Sequence, residues 1–246
     1  IYKQLSDNVE NKKIVAVSDI LEDKKSPSPV IDSVKDKISA VVQIQNGLYN
    51  RFTFCIIPFG RGNSRSFEYS IIIEQIRNLI NKNYKEIVLT GVDLTSYGHD
   101  LDDKISLGQL IKKILNDAPE LNRLRLSSLD VAEIDSDLFD VIENESRLLP
   151  HIHLSLQAGD NMILKRMKRR HSRDDSINLI KKIRDLRRDV VFGTDFIAGF
   201  PTDKEEMLQN TINIIKACKI TCLHVLHYTQ RKGSQASMIH TVKRNI

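Results

Sequence analysis

The sequence predicts an α/β fold built on parallel strands, and three observations predict it. Between residues 39 and 228, six apolar, β-branched runs alternate with amphipathic helical stretches over short connections. Such alternation demands right-handed crossovers between parallel strands. The strand runs read as apolar on both faces, as expected for a sheet covered by helices. Small and polar residues follow every strand. Six units are too few for the usual eight-stranded barrel. A partial, open (β/α)6 barrel of the TIM type fits, and so does a doubly wound sheet. In both, chemistry sits at the C-terminal ends of the strands.

The elements follow in order. Residues 39–45, SAVVQIQ, form a β-branched run closed by Asn46-Gly47, a strand and a turn. Residues 67–82 carry apolar positions at helical spacing. Residues 86–91, EIVLTG, are a short buried strand ended by glycine. Residues 106–119 are a helix with Ser106 as N-cap and Pro119 as the stop. A strand at 124–129 and a helix at 135–146 come next. HIHLSLQ (151–157) is a strand, followed by helical stretches at 161–168 and 173–187. Residues 189–200 are a strand running into a glycine turn. A helix at 203–218 and a last strand at 220–228 complete the set. Residues 1–38 are polar and lysine-rich, with an apolar patch at 14–20 and a turn signal, SPSPV, at 26–30. They read as a linker or a domain remnant.

Composition narrows the function classes. With 41% apolar and 28% charged residues the chain is globular, so wholesale disorder is excluded. No apolar run is long enough for a transmembrane helix, and no apolar core marks a secretory signal at the N-terminus. Three cysteines are too few for a disulfide framework and point to a reducing, cytoplasmic setting. A net charge of +5 points mildly to a polyanionic partner such as RNA, but on charge alone a plain solvated basic surface is the better reading.

The residues at the strand ends carry the chemistry. Asn46, Gly47, Arg51, Thr53 and Cys55 follow the first strand; Thr90, Gly91 and Asp93 the second; Ser127 and Ser128 the third. Ser155, Gln157 and Gly159 follow the fourth; Thr194, Asp195, Gly199 and Pro201 the fifth; Tyr228, Arg231 and Gly233 the sixth. Singly, each is ordinary turn chemistry. Together they make a polar cup suited to a ligand.

Six blocks then resemble one family in order: residues 44–66 with TFCIIPFGRGNSRS, EIVLTGVDLTSYG (86–98), 120–135, PHIHLSLQAGDNMILKRMKRRHSRDD (150–175), FGTDFIAGFPTD (192–203) and YTQRKGSQA (228–236). The chain resembles the radical S-adenosylmethionine (SAM) tRNA methylthiotransferases, most of all the subgroup that makes 2-methylthio-N6-threonylcarbamoyladenosine. The resemblance covers roughly residues 38–246, and it favours the partial (β/α)6 radical SAM barrel.

It also implies a tRNA partner and two cofactors, SAM and a [4Fe–4S] cluster held by Cys-x3-Cys-x2-Cys. An electron from such a cluster cleaves SAM to a 5′-deoxyadenosyl radical, chemistry that belongs to the cofactor. The motif maps onto Leu48, Phe52 and Cys55, and only Cys55 is a thiol. Iron in such clusters takes thiolate ligands, which leucine and phenylalanine cannot supply. The expectation is a chain that does not assemble the cluster normally and is catalytically impaired. Family members also carry an N-terminal domain with three further cysteines and a C-terminal β-barrel (TRAM) that grips tRNA. Residues 1–38 hold no cysteine, and nothing after the sixth strand leaves room for that barrel. Both are expected to be missing here, and a separate chain could supply the first.

By the same resemblance, Gly91 lies near the SAM methionyl group. Ser155 and Gln157 face the ribose and carboxylate side, and Asp195, Ile197 and Gly199 flank the adenine. Arg51, Arg61 and Arg65 are candidate contacts to SAM or RNA phosphate, against a solvated basic loop. Lys165, Arg166, Lys168, Arg169 and Arg170, continued by His171 and Arg173, form the densest basic run. Such runs bind phosphate without reading sequence. Cys218 and Cys222 read as buried free thiols rather than a metal pair. His151 and His153 share one face of a strand but have no acidic or thiol partner nearby in sequence, so zinc binding is not expected there. His224 and His227, at the end of the last strand, receive no role.

Overall fold

The computed structural model describes Ile20, Leu21 and residues 38–239. The linker or remnant expected over residues 1–38 lies outside these residues except for Ile20, Leu21 and Ile38. β1 (Ser39–Gln43) pairs in parallel with β4 (Glu86–Thr90), and β4 with β5 (Arg123–Leu126). β6 (Ser128–Leu129), β7 (His151–Gln157), β8 (Val191–Ala198) and β9 (Cys222–His227) continue in parallel. Between β1 and β4, β2 (Gln45–Asn46) and β3 (Arg65–Ser66) make a small antiparallel ladder.

Strand order settles the choice of architecture. The strands lie side by side in chain order, β1-β4-β5 and then β6-β7-β8-β9. A doubly wound sheet needs a point where the order reverses. None occurs among the described strands, so the sheet curls one way as an open (β/α) barrel. The third expected strand is interrupted at Ser127, whose N–H turns back to Leu89 O at 3.0 Å. The two sheets are seamed there: Leu124 N–H donates to Arg147 O and Leu149 N–H to Leu124 O, both at 2.8 Å.

The helices α2 (Tyr69–Asn81), α3 (Leu107–Asp117), α4 (Ser136–Asn144), α5 (Asn161–Arg166), α6 (Arg173–Leu186) and α7 (Glu205–Ala217) follow their strands. Ser106 caps α3 in a box with Gln109, and the helix stops before Pro119, as expected. Ile72, Ile76, Leu110, Ile114, Leu138 and Ile183 project from these helices into one continuous core. Each such buried side chain stabilises the fold by ~1.5–3 kcal/mol.

The strands are not apolar on both faces throughout. In β7, Ile152, Leu154 and Leu156 belong to the core under the helices, while His151, His153, Ser155 and Gln157 alternate onto the barrel lumen. β9 departs further: every residue in it is exposed, Leu223 and Val225 included.

Candidate functional site at the C-terminal ends of the strands

The loop after β1 is held by one buried amide. Gln45 Nε2 donates to Gly47 O and to Ser64 Oγ, both at 2.8 Å, and its Oε1 accepts the Asp93 N–H at 2.9 Å. Both ends of the loop are thereby tied to the turn after β4. Gly47 sits at φ +74°, and a Cβ there would stand 2.0 Å from Asn63 O, so the return of the chain at β3 requires glycine. Within the loop, a short helix α1 (Ile57–Arg61) forms with Pro58 in its first turn, where the sequence analysis placed no element. Arg51 donates to Leu48 O at 2.7 Å, Tyr49 O at 2.9 Å and Asn63 Oδ1 at 2.8 Å, closing the loop on itself.

Leu48, Phe52 and Cys55 line one cavity of about 160 Å³ together with Ser155, Gln157 and Arg169. Leu48 is 4% exposed. Phe52 stacks on Phe54 with centroids 5.9 Å apart, and the Arg169 guanidinium lies over the Phe52 ring, 4.6 Å from its centroid. Arg169 also donates to Ser155 O at 2.6 Å and pairs with Asp130 at 3.1 Å. Burial pushes the Cys55 thiol up, against a smaller opposing effect of the Ile57 backbone. A raised thiol disfavours the thiolate that a metal needs. Asp93, at the same cavity, is pushed up to about 6, first by burial and then by the negative charges of Glu133 and Asp130. Its carboxylate accepts from Asn50 Nδ2 at 3.0 Å.

A second cavity of about 550 Å³ adjoins on the far side of Cys55 and Gln157. Ile197, Leu226, Tyr228 and Arg231 line it. Its size and its mainly apolar lining with a few polar groups suit a small organic ligand.

Deeper in the lumen, His153, Asp195 and His224 meet on three neighbouring strands. His153 Nε2 lies 3.0 Å from Asp195 Oδ1, and His224 Nδ1 lies 3.1 Å from the same oxygen. Burial pushes the Asp195 carboxyl up, but the two imidazoles against it outweigh burial and hold it below the usual range. The sequence analysis gave His153 no acidic partner because Asp195 is remote in the chain; parallel pairing of β7 and β8 supplies one.

Residues 50–215 match the family described as the Radical SAM superfamily. The chain belongs to the radical SAM superfamily. It is 46% identical over 232 residues to the threonylcarbamoyladenosine tRNA methylthiotransferase of Rickettsia prowazekii, covering 94% of this chain and 55% of the relative. It is 35% identical to the tRNA-2-methylthio-N(6)-dimethylallyladenosine synthase of Clostridium tetani, covering 92% of this chain and 49% of that one. The chain thus spans about half the length of the curated relatives it matches. A solved radical SAM methyltransferase, TsrM from Kitasatospora setae, superposes with a TM-score of 0.67 at 13% identity, over 80% of this chain and 38% of that one. That likeness speaks to the fold.

On this radical SAM barrel the expected site residues separate into groups. Ser155, Gln157 and Cys55 share the smaller cavity, and Gln157 and Ile197 the larger one. Gly91 packs on Gln45 at the turn after β4, and Gly199 turns the chain after β8 at φ +71°. Asp195 faces the two histidines of the lumen.

The basic residues need correction. Arg169 is turned inward, its side chain only 3% exposed, so it is not an outward phosphate contact. Arg65 is buried as well and donates to Arg61 O at 2.7 Å. Arg170 is exposed but engaged with Glu133 at 2.6 Å. Lys165, Lys168, Arg51 and Arg61 remain exposed, and Arg166 is half-buried against Thr202 O. Cys218 is buried as expected, whereas Cys222 is exposed on β9. Sequence reasoning gave no role to Gln45 or Asp130, because each acts on partners far away in the chain.

Proposed function

We propose that this chain is a methylthiotransferase-like radical SAM protein, related to enzymes that add a 2-methylthio group to N6-threonylcarbamoyladenosine in tRNA, and that it no longer assembles the catalytic cluster. The observation that carries the reading is the convergence of Leu48, Phe52 and Cys55 on one cavity. By the resemblance, these positions correspond to the three cluster cysteines of the family motif. Two of them are apolar, Leu48 buried and Phe52 packed by Phe54 and Arg169, and only the third is a thiol. The donor set does not fit a [4Fe–4S] cluster, so no reaction step is assigned to one. The retained part is a binding function. The adjoining cavity of about 550 Å³ is the place for SAM, and exposed Lys165 and Lys168 are the candidate contacts to tRNA phosphate.

Anaerobic reconstitution with iron and sulfide tests this. The wild-type protein is expected to stay colourless and to hold no acid-labile sulfide. Leu48→Cys/Phe52→Cys is expected to turn brown. Equilibrium dialysis with labelled SAM should show binding to the unreconstituted chain. A brown, sulfide-containing wild-type protein would overturn the reading.

A further inference from the structure

We propose that His153, Asp195 and His224 form a binding site for a divalent transition metal of the zinc class, inside the barrel and apart from the strand-end cavities. The proposal does not rest on the functional reading above. Its first support is geometry. One ligand atom from each of the three residues lies within 4.8 Å of the other two. Tetrahedral metal–ligand bonds of about 2.0–2.2 Å place neighbouring donors about 3.3–3.6 Å apart, so the separations of 3.0 Å and 3.1 Å found here need widen by only about half an ångström to admit the ion.

The second support is an unmet donor. His153 is 8% exposed, and its Nε2 makes no hydrogen bond: the approach to Asp195 Oδ1 has the distance but not the alignment. A buried imidazole nitrogen that faces its carboxylate without hydrogen-bond alignment is under-satisfied. A cation between Nε2 and Oδ1 would satisfy both.

The third support is the space made for the ring. A Cβ on Gly193, the β8 residue paired with His153, would stand 2.6 Å from His153 Nδ1. Glycine there leaves room for the His153 ring against β8.

Two imidazoles and one carboxylate are borderline-soft donors, the set that suits zinc and its divalent neighbours. Three protein ligands leave a position for water. His224 is the open side of the site, at 65% side-chain exposure, so an ion can reach it from solvent. The site would also have a mechanical consequence. β9 is an exposed edge strand, and a metal bridging His224 to β7 and β8 would fasten it to the barrel.

The test uses untagged full chain freed of metal with a chelator, titrated with Co²⁺ and read by visible absorption. Zn²⁺ is then added in competition. One Co²⁺ per chain is expected, with ligand-field bands, no sulfur charge-transfer band, and displacement by Zn²⁺. His224→Ala changes an exposed side chain and should keep the fold, checked by circular dichroism. It should lower affinity by more than the roughly 10–100-fold that losing an outer-sphere partner costs. Asp195→Asn should do the same. Cys222→Ser should leave binding unchanged, since that thiol is not among the three ligands. Absence of Co²⁺ binding would overturn the proposal. So would unchanged affinity in both His224→Ala and Asp195→Asn, or a sulfur charge-transfer band that Cys222→Ser abolishes.

Discussion

Two regions of the barrel bring candidate ligand side chains together, and they do so in opposite ways. The loop carrying Leu48, Phe52 and Cys55 sets three side chains of the proposed site within eight residues, but only Cys55 is a metal donor. The lumen layer of His153, Asp195 and His224 has the donors, spread over three strands and 72 positions of sequence, with no local motif. The difference teaches that spacing reports a site only when one loop supplies it. When neighbouring strands supply it, register does the work. The two regions also differ in how they are closed: the loop is plugged by apolar packing, whereas the lumen layer opens to solvent at β9.

The sharpest break of this comparison is expected at the plug. Leu48→Ala removes a buried side chain from the loop and should destabilise the protein by ~2–4 kcal/mol in urea unfolding. If stability is unchanged, Leu48 is not a packing element and the contrast fails. A smaller effect is expected in the lumen. Gly193→Ala forces the His153 ring to move and should cost ~1–3 kcal/mol while weakening Co²⁺ binding. Equal binding in that variant would show that the ring position is not what defines the layer.

Asp93 tests the loop site by pH. Its pKa is raised from 3.8 to about 6 in the fold, so the native state binds more protons than the unfolded state between those values. Stability is therefore fully supported by this group below about pH 4 and falls as pH rises through about 6. Asp93→Asn, which mimics the protonated acid, should be more stable than the parent by up to ~3 kcal/mol at pH 8 and nearly equal to it at pH 4. Chemical denaturation at the two pH values checks this, and a difference of the same size at both would contradict the assignment. The smallest effect lies outside both regions. On the proposed tRNA-binding role, Lys165→Ala/Lys168→Ala should weaken tRNA binding and reduce its salt dependence by at most about two ion equivalents. Arg169→Ala should instead lower stability, because its guanidinium is buried against Asp130 and Phe52.

Much of this molecule was written locally. The Ser106 cap and Pro119 stop bounded α3, because capping and proline sterics act within a few residues. The six strand runs and the helices between them follow from short-range periodicity, and the family's blocks follow from residue order. That positions 48 and 52 hold leucine and phenylalanine is equally a fact of sequence. What the tertiary structure decided were the relations between distant segments. It chose the open barrel over the doubly wound sheet through strand order, which no local pattern encodes. It turned Arg169 inward because Asp130 and the Phe52 ring lie where its side chain falls. It joined His153 to Asp195 and His224 because parallel pairing fixes which residues of β7, β8 and β9 stand abreast, and that register is set by the packing of the whole sheet rather than by any one strand.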